Sequence, residues 1–258
     1  MLRGFYTAAS GMVSQEKRLN AIANNIANVN TAGFKREDLV FGTFGEHMAV
    51  RMNEYNMGRL DRIGRGVWMQ VTDFKYTDFE QGGLDATNRS FDMAIVGDGF
   101  FLIATPDGNR LTRDGQFALD DEGYLILPGY GRVQGEGGDI NLEGRADFLA
   151  NRNGDIFLVN EDGELEHVDR LLIALVEDLS TLEREPSKLF YAPEFTAATE
   201  NFENTMILQG LVERSNVNMA QEMTRMMASQ RSLQSAAQIV RKFDEMTEQG
   251  NNRISSMR

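Results

Sequence analysis

Cysteine is absent from this chain of 258 residues, which excludes disulfide bonds, thiolate metal sites and cysteine nucleophiles. Long hydrophobic runs are also missing. No uninterrupted apolar stretch approaches the roughly 20 residues that a helix needs to cross a bilayer, so no membrane insertion is expected. The N-terminus has no continuous apolar segment of the kind found in a secretory signal peptide. If the protein leaves the cytoplasm, we therefore expect a route that needs no cleaved signal.

Histidine is scarce as well, which narrows the options for catalysis. The two histidines, His47 and His167, lie in unrelated sequence contexts, whereas an active site needs several groups that converge. No serine lies in a Gly-x-Ser-x-Gly elbow. The Gly97-Asp98-Gly99 turn is followed by more strand-like sequence and not by a helix, so it is not a phosphate-binding turn. The sequence predicts no enzyme, no cofactor and no metal site.

Charge is distributed unevenly along the chain. The net charge is -13, yet residues 85–200 hold 24 acidic and 9 basic residues, a net charge of -15. The two ends together are therefore close to neutral and can pack against copies of themselves, while the acidic middle favours solubility. Because no basic patch is available to neutralise phosphates, duplex nucleic acid is not an expected partner.

The N-terminal segment has the periodicity of an amphipathic helix over residues 5–29. Its apolar positions are spaced by three, four and three residues, as in helices that pack along a seam. No proline interrupts this pattern, and Gly33 follows it, a residue type that tolerates the left-handed conformation that ends helices. The apolar positions are Leu19, Ile22, Ile26 and Val29.

A second, longer amphipathic helix is predicted over residues 211–246. Two apolar rows run side by side, so the apolar face is wide enough to contact more than one helix, and methionine adapts to irregular neighbours. Periodicity alone also fits helices that only cover this protein's own core. The main row is Met219, Met223, Met226, Gln230, Leu233, Ala237 and Val240, and the second is Ala236, Ile239, Phe243 and Met246.

Between the two helices, the sequence predicts antiparallel β structure from Gly82 onward. Asp-Gly and Asn-Gly pairs supply the positive φ angles of hairpin turns, and short strand-like segments recur about every 8–12 residues. Residues 35–81, where glycines break up any period, predict a connecting segment with extended pieces. The expected core residues of the β region are Ile95, Phe100, Phe101, Phe117, Ile126, Phe157 and Val159.

The predicted fold class is α+β. We expect residues 1–34 and 205–258 to form one helical domain, in which the N- and C-terminal helices pair in a coiled-coil-like manner. Residues 82–204 are expected to form an inserted, antiparallel β-rich outer domain with its own core.

Three stretches, in this order, resemble a known family. Residues 23–35, ANNIANVNTAGFK, are similar to the N-terminal signature that the axial proteins of the bacterial flagellum share. Residues 83–87, 91–101 and 111–117 resemble the β-domain signature of the rod and hook branch of that family. Residues 215–218, followed by Glu-Met and Ser-Gln-Arg, resemble its C-terminal helix motif. One departure is Ser232-Leu233, where the family usually has a small residue and an aromatic one.

The resemblance implies a structural subunit of the flagellar basal-body rod, of the FlgF or FlgG type, with proximal and distal rod left open. Hook proteins carry a further large outer domain for which this chain is too short. The resemblance also implies export by the flagellar type III apparatus in a largely unfolded state. The expected partners are copies of the chain and other flagellar rod and hook proteins, assembled helically through the terminal helices into a tube that spans the cell envelope.

Two alternative functions stay open. One, which the resemblance also allows, is a hook or hook-associated axial protein. The other is an enzyme acting on cell-wall glycan, which would need two carboxylates across a cleft; nearly all Asp and Glu here lie next to turn glycines.

For a rod subunit, the side-chain amides on the Asn-rich face of the N-terminal helix could form hydrogen bonds with neighbouring chains. The expected assembly residues are Leu19, Ile22, Asn24, Asn25, Ile26, Asn28, Val29, Asn216, Asn218, Met223, Met226, Gln230, Leu233 and Val240.

Overall fold

The computed structural model describes residues 2–44, 47–52, 60–66, 69–145, 147–159, 164–185, 188–198 and 205–255. The chain divides into two compact units, which we call the terminal unit and the β unit. The terminal unit comprises Met1–Ala27, Glu37–Thr77 and Asn218–Arg258, and the β unit comprises Asn28–Arg36 and Asp78–Val217.

Two helices, α1 (Leu2–Ala27) and α2 (Met219–Ser255), contact each other in the terminal unit. The start of α1 lies beside the second half of α2, because Gly4 packs against the ring of Phe243. Near the other end of α1, Asn25 bonds to the backbone of Glu37, and the adjacent Asp38 pairs with Arg225 near the start of α2. The two helices therefore run in opposite directions. None of the described helices is both long enough and apolar enough to cross a membrane.

Between the helices, the described residues of the terminal unit form four strands in two antiparallel pairs. β1 pairs with β4 and β2 pairs with β3, each pair with one register shift, and α1 contacts both β1 and β4. The segment predicted to connect the domains with extended pieces thus has regular pairing where the structure describes it. The strands are β1 (Glu37–Phe44), β2 (His47–Met52), β3 (Leu60–Gly66) and β4 (Met69–Thr77).

In the residues of the β unit that the structure describes, there are seventeen short strands and one 3-10 helix, Leu179–Thr181. The strands are β5 (Leu84–Ala86), β6 (Met93–Val96), β7 (Phe100–Thr105), β8 (Gly108–Thr112), β9 (Ala118–Leu119), β10 (Leu125–Leu127), β11 (Gly131–Gly135), β12 (Gly138–Asp139), β13 (Phe148–Ala150), β14 (Asp155–Val159), β15 (Leu165–Arg170), β16 (Ile173–Leu175), β17 (Glu183–Arg184), β18 (Phe190–Tyr191), β19 (Thr196–Ala198), β20 (Met206–Gln209) and β21 (Leu211–Glu213).

Antiparallel pairing connects these strands, as the sequence predicted. The largest sheet has ten strands: the order β17-β18-β8-β7-β11-β10-β9 forms its main path, β12 pairs with β11, and β16 pairs with β7 and β19. A second sheet has the order β13-β14-β15. The observed class is α+β, with an N-terminal helix, a C-terminal helix and an antiparallel β-rich region between them.

The core of the β unit contains some, but not all, of the core residues expected from the sequence. Ile95, Phe101 and Phe117 lie in its main hydrophobic cluster, and Phe100 lies in a second one. Ile126, Phe157 and Val159 are only partly buried, whereas their strand neighbours Leu125, Leu127, Ile156 and Leu158 are buried. Successive side chains of a strand point to opposite faces, so the expectation for those three residues was wrong by one position.

The end of the β unit and the start of α2 also differ from the expectation. Residues 211–213 form strand β21 and pair with β5, and β20 pairs with β6. Ile207 on β20 belongs to the main core cluster. Residues 205–217 are therefore part of the compact β unit, and α2 begins only at Met219, where Asn218 accepts a hydrogen bond from the backbone N–H of Gln221, as a helix-capping residue does.

Candidate assembly surface and motif junction

A buried ionic cluster lies in the β unit, and we call it the motif junction: Lys35, Arg113 and Glu213. The Nζ of Lys35 lies 2.6 Å from Oε1 of Glu213, and the Nη1 of Arg113 lies 3.4 Å from Oε2 of the same carboxylate. Lys35 and Glu213 are each only 1% exposed. Lys35 also donates to the carbonyl oxygens of Phe79 and Glu80, at 3.3 and 2.9 Å.

Burial controls the electrostatics of this cluster. Desolvation lowers the pKa of Lys35 below its usual range, although attraction to Glu213 opposes that shift. Desolvation likewise lowers the pKa of Arg113, again against the attraction of Glu213. Removing one member of such a cluster leaves an uncompensated buried charge, so the three residues depend on one another.

Backbone contacts complete the junction. The N–H of Gly33 donates to the carbonyl of Glu213 at 2.8 Å. Gly33 has a φ of +65°, and a Cβ there would lie 2.3 Å from the backbone nitrogen of Asp114. The sequence predicted a left-handed glycine here as a helix stop. Because α1 already ends at Ala27, the glycine serves this close approach of two backbones instead.

The motif junction and the hydrogen bonds beside it bring together residues from all three family-like stretches. Lys35 ends the first stretch and Arg113 lies in the second. Asn216, in the third, accepts a hydrogen bond from the N–H of Arg36 at 2.7 Å and donates to the carbonyl of Asp78 at 2.8 Å. Sequence reasoning assigned no role to Lys35, Arg113 or Glu213. One feature of the sequence could have indicated a buried ionic cluster: the carboxylate Glu213 directly follows the apolar pair Leu211-Val212.

The expected assembly residues on α1 fall into two groups. Asn25 is fully buried, and its amide makes a pair of hydrogen bonds with the backbone of Glu37, at 2.8 and 3.0 Å. Ile22 is also buried, at 4% exposure. The side chains of Ile22 and Asn25 are therefore already buried in the single chain. Leu19 and Ile26 are partly buried, and Asn24 is exposed.

The residues next to the helix ends contribute to the chain's own architecture. Asn28 is partly buried, and its Oδ1 accepts a hydrogen bond from the hydroxyl of Thr31 at 3.2 Å. Val29 is partly buried as well. Asn216 makes the hydrogen bonds beside the motif junction, and Asn218 is an exposed residue that caps α2.

On α2, the covered row is rotated relative to the row chosen from sequence. Met226, Leu233, Ala237 and Val240 are partly buried as expected for packed positions, but Met219, Met223 and Gln230 are exposed. Glu222, Ser229 and Ala236, each one residue before a position of the expected row, are covered as well. We call the main covered row the inner row: Glu222, Met226, Ser229, Leu233, Ala236, Val240 and Phe243.

Because the covered row differs from the expected one, apolar side chains of α2 stay exposed to solvent. Met219, Met223 and Met227, which we call the outer methionines, are 45%, 50% and 52% exposed. They are spaced by four residues and therefore share one side of the helix. On α1, Tyr6 and Val13 are also exposed. Rows of large apolar side chains on a surface are typical of sites that bind other proteins.

The class of protein that suits this fold is a structural subunit, in which a β-rich region lies between two terminal helices with exposed apolar side chains. The comparisons with known proteins agree. A family model described as flagella basal body rod protein matches residues 5–35. A flagellar hook protein FlgE/F/G D1 domain model matches residues 94–167, and a flagellar basal body rod FlgEFG protein C-terminal model matches residues 208–253.

Relatives match over almost the whole chain. FlgG of Bacillus subtilis is 31% identical, over 96% of this chain and 98% of the relative. FlgF of Rhizobium meliloti is 31% identical, over 93% of each, and FlgF of Caulobacter vibrioides is 29% identical over the full length of both. All three are flagellar basal-body rod proteins. The chain belongs to the flagellar basal-body rod protein family, a family of structural proteins and not of enzymes.

Proposed function

We propose that this chain is a structural subunit of the basal-body rod that assembles through its terminal helices. Copies of the chain and other flagellar rod and hook proteins are its partners. The observation that carries the proposal is the row of outer methionines beside the inner row of α2, because it leaves an apolar face uncovered in the single chain.

The different apolar faces of α1 and α2 support a head-to-tail assembly of these subunits, and we take this assembly to be helical. The exposed apolar residues of α1, Tyr6 and Val13, differ from those of α2, so a contact between the two faces joins unlike surfaces. Unlike surfaces that join head to tail, without a rotation that closes a ring, generate a helical filament. In the tube, α1 and α2 pack in a coiled-coil-like manner with the helices of neighbouring chains.

The same proposal includes the route to the rod. The chain travels through the flagellar type III export apparatus, without a cleaved signal, and takes its place in the rod as it crosses the cell envelope. Absence of cysteine supports this route, since no disulfide can lock the chain before it is threaded through a channel.

A charge placed among the outer methionines tests the assembly surface. Met223→Glu puts a carboxylate into the proposed contact without a partner, which costs several kcal/mol when it is buried. Ala228→Glu is the matched control, because Ala228 is also exposed on α2 and lies about 140° around the helix from Met223. We expect the Met223→Glu subunit to fold, to be exported and to be missing from isolated basal bodies, with loss of swimming.

Circular dichroism of each purified variant checks that the fold is retained. Rods and swimming of wild-type level in the Met223→Glu strain would show that this face of α2 is not an assembly surface. Equal defects in the Met223→Glu and Ala228→Glu strains would show that any charge on α2 is harmful, and the outer methionines would lose their special role.

A further inference from the structure

The outer methionines are, together with Met246, the exposed methionines in the described part of α2. The chain has fourteen methionines and no cysteine, so thioethers are the only sulfur centres that an oxidant can meet. Met219, Met223 and Met227 are each about half exposed in the single chain. Their spacing of four residues places three thioethers in a row on one side of the helix.

The outer methionines are more exposed to solvent than Met93 and Met226. Met93 is fully buried in the core of the β unit, and Met226, on the inner row of α2, is partly buried. Susceptibility to oxidation follows exposure of the sulfur to solvent. Met226 is the more telling comparison, because it lies next to Met227 in sequence and in the same helix.

We propose that the outer methionines form an oxidation-sensitive modification site of the free subunit, with hydroperoxides as the substrate class. A lone pair of the thioether sulfur attacks one peroxide oxygen, the O–O bond breaks and an S–O bond forms. The sulfur is oxidised by two electrons to the sulfoxide, and the peroxide is reduced to water, or to an alcohol in the case of an alkyl hydroperoxide. This proposal rests on the assembly role of the same face of α2.

Oxidation changes what this face can contact. A sulfoxide is polar, in contrast to the apolar thioether, and burying its oxygen without a hydrogen-bond donor is unfavourable. Three sulfoxides in a row therefore oppose packing of α2 against another chain. The inner row is not affected, so the fold of the subunit is retained. Once the face is buried in an assembly, peroxide can no longer reach it.

Treatment of the purified, full-length chain with hydrogen peroxide tests the site. Peptide mass spectrometry is expected to find sulfoxide at Met219, Met223 and Met227 before Met226 and Met93. Far-ultraviolet circular dichroism is expected to stay unchanged. Self-association measured by sedimentation velocity is expected to be lost after oxidation, and to return after incubation with the two methionine sulfoxide reductases, one for each sulfoxide epimer.

The variant Met219→Leu/Met223→Leu/Met227→Leu is the matched control. Leucine is close to methionine in volume and apolar but has no thioether to oxidise. The association that this variant shows before peroxide is its own baseline, and we expect it to be unchanged after peroxide treatment. Loss of association in the treated variant, or oxidation of Met226 and Met93 as fast as the outer methionines, would overturn the proposal.

The outcomes also separate this inference from the assembly role. If the untreated wild type does not associate, the assembly role of this face fails and the inference fails with it. If the wild type associates equally well before and after its outer methionines are converted to sulfoxides, the assembly role stands and only the modification site is rejected.

Discussion

Lys35 and Glu213 form a buried ion pair across 178 residues of sequence, with 2.6 Å between Nζ and Oε1. Lys35 follows the N-terminal helix in the chain and Glu213 precedes the C-terminal one. The pair therefore joins the two chain segments of the β unit, residues 28–36 and residues 78–217. Arg113, on the far side of the carboxylate, makes the pair a three-charge cluster.

Lys35→Met is expected to lower the free energy of unfolding by about 3–5 kcal/mol, because it leaves the buried carboxylate of Glu213 short of its closest partner. Urea unfolding at neutral pH measures the change. The double variant Lys35→Met/Glu213→Gln removes both charges of the pair and is expected to recover a substantial part of the loss. A single variant as stable as the wild type would show that Arg113 alone compensates Glu213.

The pH dependence of stability gives a second prediction about Lys35. Its folded-state pKa is lowered from the usual 10.5 by burial, so the unfolded chain binds more protons than the native chain between the two values. In that window the free energy of unfolding rises with pH. We expect the wild type to gain stability relative to Lys35→Met as the pH approaches 10.5, in urea titrations of both proteins. A constant or falling difference would contradict a lowered pKa.

Two glycines of α1 are expected to respond to alanine in opposite directions. At Gly4 an added Cβ would lie 2.7 Å from the Phe243 ring, whereas at Gly11 nothing lies within 4 Å. Gly11→Ala is therefore expected to stabilise the helix by about 0.5–1 kcal/mol. Gly4→Ala must displace the ring, and overpacking of this kind typically costs about 1–3 kcal/mol. Thermal unfolding followed at the helical band measures both, and a gain for both variants would argue against close contact of α1 and α2.

Whether a fragment of the β unit folds by itself is expected to depend on where the fragment begins and ends. A fragment of residues 28–217 contains the motif junction and strands β20 and β21, and we expect it to unfold cooperatively. A fragment of residues 82–204 lacks Lys35, Glu213 and Ile207, so its core and its ionic cluster are incomplete. We expect the shorter fragment to lack a cooperative transition in circular dichroism. Cooperative unfolding of the shorter fragment would place the boundary where sequence alone had suggested it.

Local signals in the sequence were sufficient for several features. The three-four spacing of apolar residues predicted both terminal helices, and Asp-Gly and Asn-Gly pairs predicted the antiparallel strands between them. The family-like stretches indicated a flagellar rod protein, which the relatives confirm. Each of these signals is carried by residues close together in the chain, where helix periodicity and turn chemistry act.

Tertiary structure alone decided which face of each element is covered. On α2, periodicity marked an apolar side, but the position of the neighbouring elements placed Glu222 and Ser229 in the inner row and left the outer methionines exposed. On β14, two alternating sets were both apolar, and only the packed sheet chose Ile156 and Leu158. Likewise, nothing near Lys35 in the sequence indicates Glu213 as its partner. A repeat pattern determines which residues share a face, whereas burial depends on contacts between segments that are distant in the chain.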